Sequence, residues 1–356
     1  MCKRLLVEAL ISVVKGLYGR QIRSLVSFHS SLWKLMQILM AFHPSPGVKK
    51  IDMEEKYRLP FLQARGLHWQ AMDFLTDEAT LRWVVSLVVV AVVLGVEWAV
   101  PFRIPIQSKL EHVSTNLIIF GGNSFIAQWL AGWMLLIWSS YVTSVGWGVL
   151  HSLDLAPVSH VLLSVIVLDL VGYGIHRFYH RVPFLWRFHR AHHSDLDMDA
   201  TTSIRFHLGE VIMTTGMKGL SVWALGVSPA GLLISETLTL CAGLFAHANV
   251  RLPSKLEPRL RLAIVTPTMH WIHHSRRPSE HNANLSPVFS VWDRLFGTYH
   301  MGVAQHEIQF GLDEYPALED VGFVRFYRMP FDQPCRSMEQ DQLVSASTAA
   351  PANLHR

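Results

Sequence analysis

Two segments of the chain repeat the pattern His-x-x-His-His: His189, His192 and His193 in LWRFHRAHHSD, and His270, His273 and His274 in TPTMHWIHHS. A third pair, His176 and His180, is spaced i,i+4 in GYGIHRFYH. Neutral imidazole is the commonest nitrogen ligand of first-row metals. These histidines outnumber the about four ligands of one tetrahedral zinc, so they suit two adjacent metals, each with a position left for oxygen or water. On a helix, residues i and i+4 share a face. His176 and His180 can therefore reach one metal or its neighbour, as can the first and third histidines of each repeat. The middle histidine, at i+3, is close enough to share the site. The chemistry expected is that of an oxygen-using metalloenzyme built into a membrane.

Other residues are more open. His207, in TSIRFHLGE, and His247, in LFAHANV, read equally as ligands or as hydrogen-bonded core histidines. His281 reads first as a core residue. His29, His43, His68, His112, His151, His160, His300, His306 and His355 stand apart and read as surface or interface residues. Asp169, seven residues before His176 on roughly the same helix face, reads equally as a carboxylate that orients a ligand imidazole or as a structural group. No zinc-protease His-Glu-x-x-His, Walker loop or Gly-x-Ser-x-Gly elbow competes with the histidines.

The elements that must position these residues are apolar helices. The 356-residue chain is 50% hydrophobic and only 16% charged, unlike an ordinary soluble domain. Its basicity does not point to nucleic acid, because eight Lys/Arg against one Glu crowd into residues 1–50 and leave the remainder slightly acidic. Cys2, Cys241 and Cys335 fit no disulfide or metal-knuckle spacing. Apolar runs are expected to form spans over residues 83–100, over 116–146 (one tilted helix, or a helix with a re-entrant piece) and over 158–175. A shorter hairpin is expected from runs 211–225 and 230–246, turning at Gly226-Val227-Ser228-Pro229. Glu97 and Lys218 fall inside these runs, where an ionisable group must snorkel, pair or face a cavity. The hairpin returns every histidine cluster to one membrane face. Arg177, Arg181, Arg187, Arg190, Arg251, Lys255, Arg259 and Arg261 gather on that face while the tip is uncharged, which makes the face cytoplasmic. Residues 1–71 read as a basic amphipathic extension ahead of Met72, residues 72–330 as the catalytic body, and 331–356 as a disordered tail. The fold class expected is all-α and integral to the membrane, with about four to five transmembrane or re-entrant helices under a helical, His-rich, two-metal cap.

The order His-x-x-x-His, His-x-x-His-His and a later His-x-x-His-His, followed by Asn284 and then residues 291–299 (VWDRLFGTY), resembles the fatty acid hydroxylase/sterol desaturase superfamily over about residues 80–300. That resemblance implies a non-haem di-iron oxygenase that uses O2 to hydroxylate or desaturate a sterol, fatty-acyl or related lipid. Its electrons would come from NAD(P)H through a separate reductase chain. It also implies that His176, His180, His189, His192, His193, His270, His273 and His274 are iron ligands, with His247 a ninth, and that Asn284 supports them. The family usually has Asn-Tyr-Gly where this chain has Asn284-Leu285-Ser286, a loop expected to line the substrate entrance. The rival reading from the residues alone is a metal-binding or metal-transporting membrane protein. Transport sites usually lie near the bilayer midplane on broken helices, whereas these clusters fall where apolar runs end.

Overall fold

The computed structural model describes residues 84–332. The extension expected over 1–71 and nearly all of the expected tail lie outside that range. Phe331 and Asp332, placed in the tail by the sequence, are described: the Asp332 main-chain oxygen accepts a hydrogen bond from Arg190 at 2.8 Å. The described residues are helical without named strands and carry two isolated β-bridges.

Helix α1 covers Val84–Ala99 and ends before Pro101. Helix α2 (Lys109–Ile119) passes through a π turn, Phe120–Ser124, into α3 (Phe125–Ser144). The apolar stretch expected over 116–146 is therefore one helical path with a π segment at Gly121-Gly122. Helix α4 (Pro157–Arg181) begins with Pro157 in its first turn and stops at extended Val182, as the residue before Pro183 is steered out of the helical region. Pro183 then starts α5 (Pro183–His193).

The expected hairpin is formed by α6 (Leu208–Leu225) and α7 (Pro229–His247). Its tip needs glycine: Gly226 has φ of 73°, and a Cβ there would lie 2.5 Å from the Trp147 main-chain oxygen. Ser139 Oγ donates to the Val227 main-chain oxygen at 2.6 Å and Trp138 Nε1 to that of Gly219 at 3.0 Å, fastening α3 to the hairpin. Leu135, Leu168, Val222, Val227 and Leu232 form the core of this bundle. Phe125–Leu153, Pro157–Arg181 and Pro229–His247 are long and apolar enough to cross a membrane. Val158, Leu162, Met134 and Leu220 stand exposed on the bundle, where a bilayer would cover them.

The remaining chain builds the cap from short helices: α8 (Glu257–Leu260), α9 (Pro267–His273), α10 (Pro278–His281), α11 (Val291–Leu295) and α12 (Phe323–Arg328). Trp186 and Ala191 of α5 pack with Leu312, Tyr315, Phe326 and Met329, so the end of the described chain holds α5 from behind. Arg190, counted above among the basic residues of one face, is buried in this seam. It donates to the main-chain oxygens of Met329 and Asp332 and faces Glu314. The two intramembrane charges expected from sequence are both paired: Lys218 with Glu236 at 2.6 Å, and Glu97 with Lys109 at 3.0 Å.

Candidate metal centre

Helix geometry sorts the histidines into two groups. His176, His180, His189, His193 and His273 form one; His192, His247, His270 and His274 form the other; within each, the nearest nitrogens lie within 4.8 Å of one another. Each His-x-x-His-His repeat feeds both groups. The first gives its i,i+4 pair, His189 and His193, to the five-histidine group and its middle residue, His192, to the other. The second does the reverse, giving His270 and His274 to the four-histidine group and His273 to the five. The repeats thus interlock, and the rings of His193 and His274 stack 4.3 Å apart where the groups meet.

The carriers come from separate parts of the chain. His176 and His180 end α4, three histidines end α5, His247 ends α7, and α9 carries His270 and His273. Helix α9 is capped by Thr266, whose side chain accepts from Met269 N. Among the nine, His247 is the residue for which the sequence left both readings open. Here its Nε2 lies 3.1 Å from His270 Nε2 and 3.2 Å from His192 Nε2.

Hydrogen bonds to the outer nitrogens fix several tautomers. His176 Nδ1 donates to the Leu285 main-chain oxygen (2.8 Å), His247 Nδ1 to that of Gly243 (2.7 Å) and His273 Nδ1 to that of Ala283 (2.9 Å). His189 Nδ1 donates to Glu210 Oε1 at 2.6 Å. An imidazole that donates from Nδ1 and is neutral has a bare lone pair on Nε2. The Nε2 atom of His176 is of this kind and faces Nε2 of His189 at 3.1 Å. A proton or a metal ion between the two nitrogens would hold them at that distance. A separation of about 3 Å is the edge expected between adjacent nitrogens bound at about 2.1 Å to one metal. His180 and His193 have both ring nitrogens buried without partners, and His273 Nε2 and His274 Nε2 are also buried and unpartnered. Orphaned buried nitrogens on this scale call for an ion.

The electrostatics agree. Burial, and then the neighbouring imidazoles, hold His192, His193, His270, His273 and His274 well below the ordinary histidine range. They are neutral at pH 7, the form that binds metal.

Other expected residues fall elsewhere. His207 caps α6, its Nδ1 accepting from Gly209 N at 3.0 Å, and packs on Phe188; it belongs to neither group. Asp169 accepts from the Trp292 indole (2.7 Å) and from Phe289 N (3.0 Å), tying α4 to the α11 segment; no imidazole is among its partners. His281 stacks on Trp186 at 5.2 Å and stays about one ring layer outside, 6.0 Å from His180. Asn284 occupies left-handed backbone (φ of 53°), which asparagine tolerates. Its side chain donates to the Met269 and His300 main-chain oxygens and accepts from His300 N. The main-chain oxygens of Leu285, in the 284–286 loop, and of Ala283 just before it accept from His176 and His273. Asp293 holds that loop through Leu285 N (2.7 Å) and Ser286 N (3.1 Å).

One residue outside the sequence reading belongs here, and one read as surface or interface lies buried. Glu210, in the first turn of α6, contacts His189; three residues after His207 in FHLGE, it gave no signal of its own. His112 is buried, not a surface residue, and lies between Asp195 (3.0 Å) and Asp199 (2.9 Å).

The fatty acid hydroxylase family model matches residues 161–298. The chain is 31% identical over 140 residues to ornithine lipid hydroxylase OlsE of Rhizobium tropici, covering 39% of this chain and 41% of that one. It is 27% identical over 218 residues to alkylglycerol monooxygenase of Danio rerio (59% and 47% of the two chains). It is 27% identical over 142 residues to cholesterol 25-hydroxylase of Rattus norvegicus (40% and 47%). The matches thus span less than half the length of these curated relatives. No solved structure matches the chain. The family match ends within the VWDRLFGTY segment and encloses every histidine of the two groups, so residues 161–298, which carry the site, are similar to the fatty acid hydroxylase family.

Proposed function

We propose that this protein is a membrane-embedded, O2-dependent lipid hydroxylase whose nine grouped histidines hold two iron ions. The observation that carries the reading is the facing of imidazole nitrogens, several of them buried without a partner, in two interlocked groups, a donor set that two metal ions would satisfy. All-imidazole ligation also suits zinc or manganese, but oxygen chemistry asks for a redox metal. Bound there, the irons would supply the oxygen-activating chemistry needed to functionalise an unactivated C–H bond.

The chain's own residues do the rest. The ends of α4 and α7 carry ligands out of apolar helices, so a lipid tail arriving from the bilayer meets the site where the helices end. The carbonyls of Leu285, Ala283 and Gly243 keep three ligand rings in the metal-binding tautomer. Burial keeps the site dry and its imidazoles neutral. Residues 72–330 form the catalytic body in this reading. The His-rich cap faces the cytoplasm, as exposed Arg181, Arg187, Arg251, Lys255 and Arg259 at the bundle base and the uncharged hairpin tip suggest. Electrons reach it from a separate reductase chain that draws on NAD(P)H.

Hydroxylation is favoured over desaturation because the relatives are named hydroxylases and monooxygenases. Their names span an ornithine lipid, alkylglycerols and cholesterol, so the substrate class proposed here is a membrane lipid. Lipid profiling of cells with and without the gene tests this. A lipid gaining one oxygen atom is expected. A product lacking two hydrogens would make the enzyme a desaturase, and an unchanged lipidome with altered cellular metal content would favour the transport reading.

A further inference from the structure

Resting on the di-metal reading above, we propose that Glu210 is a positioning residue that makes the two metal positions unequal, the five-histidine position holding its metal the more tightly. Glu210 Oε1 accepts from His189 Nδ1 at 2.6 Å, with both side chains almost fully buried. A hydrogen bond to an ionised acceptor is short and strong. It fixes the His189 tautomer and makes its Nε2 a better donor to metal. Among the described residues, Glu210 is the one carboxylate hydrogen-bonded to a member of either group. The other anchored rings, His176, His273 and His247, meet neutral carbonyls.

The setting of Glu210 fits this role. Its Oε2 is buried without a partner, and among the described residues its one ion-pair contact is His189. A buried carboxylate without Lys or Arg is costly unless another cation offsets it. A metal bound one imidazole away supplies that cation. The main-chain oxygen of Glu210 accepts from Tyr179 OH at 3.0 Å, and the Tyr179 ring stacks on His189 at 5.3 Å. His189 is thus held at its edge by the carboxylate and across its face by the tyrosine. Counting anchors, the five-histidine group has three fixed outer nitrogens, and the four-histidine group has one, at His247. Preorganisation and charge therefore favour the same position.

Metal-depleted full-length protein in detergent is loaded with Co(II), and release is followed by graded chelation with metal counted per chain. Two metals leaving in two well-separated steps are expected of the wild type. Glu210→Ala should weaken the tighter step by about 10–100-fold and leave the weaker one alone. Glu210→Gln keeps an oxygen acceptor without the charge and should fall between them, so it reports charge separately from shape. The Co(II) visible spectrum of the tighter site should change in both variants. Variants that insert, melt like wild type and retain two-step release would overturn the proposal while leaving two metals per chain. A wild type that binds fewer than two would overturn the di-metal reading itself.

Discussion

Histidine is used in opposite ways on the two sides of the cap. In the two histidine groups the imidazoles face one another inside the protein, and several of their nitrogens are buried without a partner. At His112, in α2, the ring is equally buried yet lies between two carboxylates. Burial there works against the charge, but Asp195 and then Asp199 overcome it and push His112 up to about 10. The same charge, with Arg205, holds Asp195 well below the usual carboxylate range. Asn116 joins this network, donating to Asp195 and Thr201 and accepting from Arg205. One region is left incomplete and the other is closed on itself. Incompleteness marks the site where a ligand is needed, and a satisfied network marks a structural latch. The latch joins α2 to the segment just beyond His193, so it braces the chain that carries three of the grouped histidines.

Removing ligands should break the comparison most sharply. His192→Ala and His273→Ala each take a nitrogen from a different group, and each is expected to lower turnover by at least about 100-fold and to reduce bound metal, while the protein still inserts in membranes. Metal analysis of the purified variants checks this; full iron and full turnover in both would remove the di-iron reading. His112→Leu should do the reverse. It leaves Asp195 and Asp199 buried without their cation, costing about 3–5 kcal/mol of stability, with two metals still bound in whatever protein remains folded. Thermal melts in detergent beside metal counts separate the two effects.

The latch also has a pH signature. A histidine whose folded pKa is raised contributes stability that is fully present below the unfolded value of about 6.5 and lost as pH rises through about 10. Denaturation midpoints should therefore fall between about pH 7 and pH 10 in wild type, and His112→Gln should flatten that fall. An unchanged slope would mean that His112 is not charged in the folded protein. The smallest effect is expected at His207. His207→Ala removes the cap of α6 (about 1 kcal/mol) and a ring packed on Phe188, with metal content untouched. A loss of metal in that variant would put His207 back among the ligands.

Much of the site follows from local pattern. The i,i+4 spacings of His176 and His180, of His189 and His193, and of His270 and His274 place each pair on one helix face, and each pair does end in one group. The hairpin was readable from its apolar runs and its Gly226–Pro229 tip, because a glycine in left-handed backbone and a proline at a helix start are local requirements. Spacing could not say that His192 and His273 cross to the opposite groups. That depends on how α5 and α9 dock, set by Trp186 and Ala191 against residues 312–329 and by Met269 against Ala246 and Val265. Nor could it separate His247 from His207, two single histidines next to helix ends. One ends α7 facing His192 and His270, and the other begins α6 as a cap.

What the sequence by itself determined was the kind of chemistry and the elements that carry it: imidazoles enough for two metals, on helices apolar enough for a membrane. Their number, their helical spacing and the hydrophobic runs are properties of the chain read along its length. The tertiary structure decided which nitrogen meets which, that Asp169 serves Trp292 rather than an imidazole, that Glu210 stands behind His189, and that His112 is buried between Asp195 and Asp199. These are contacts between residues as much as 123 positions apart in the chain, as for Asp169 and Trp292, and a side chain's protonation and role follow from its neighbours in space.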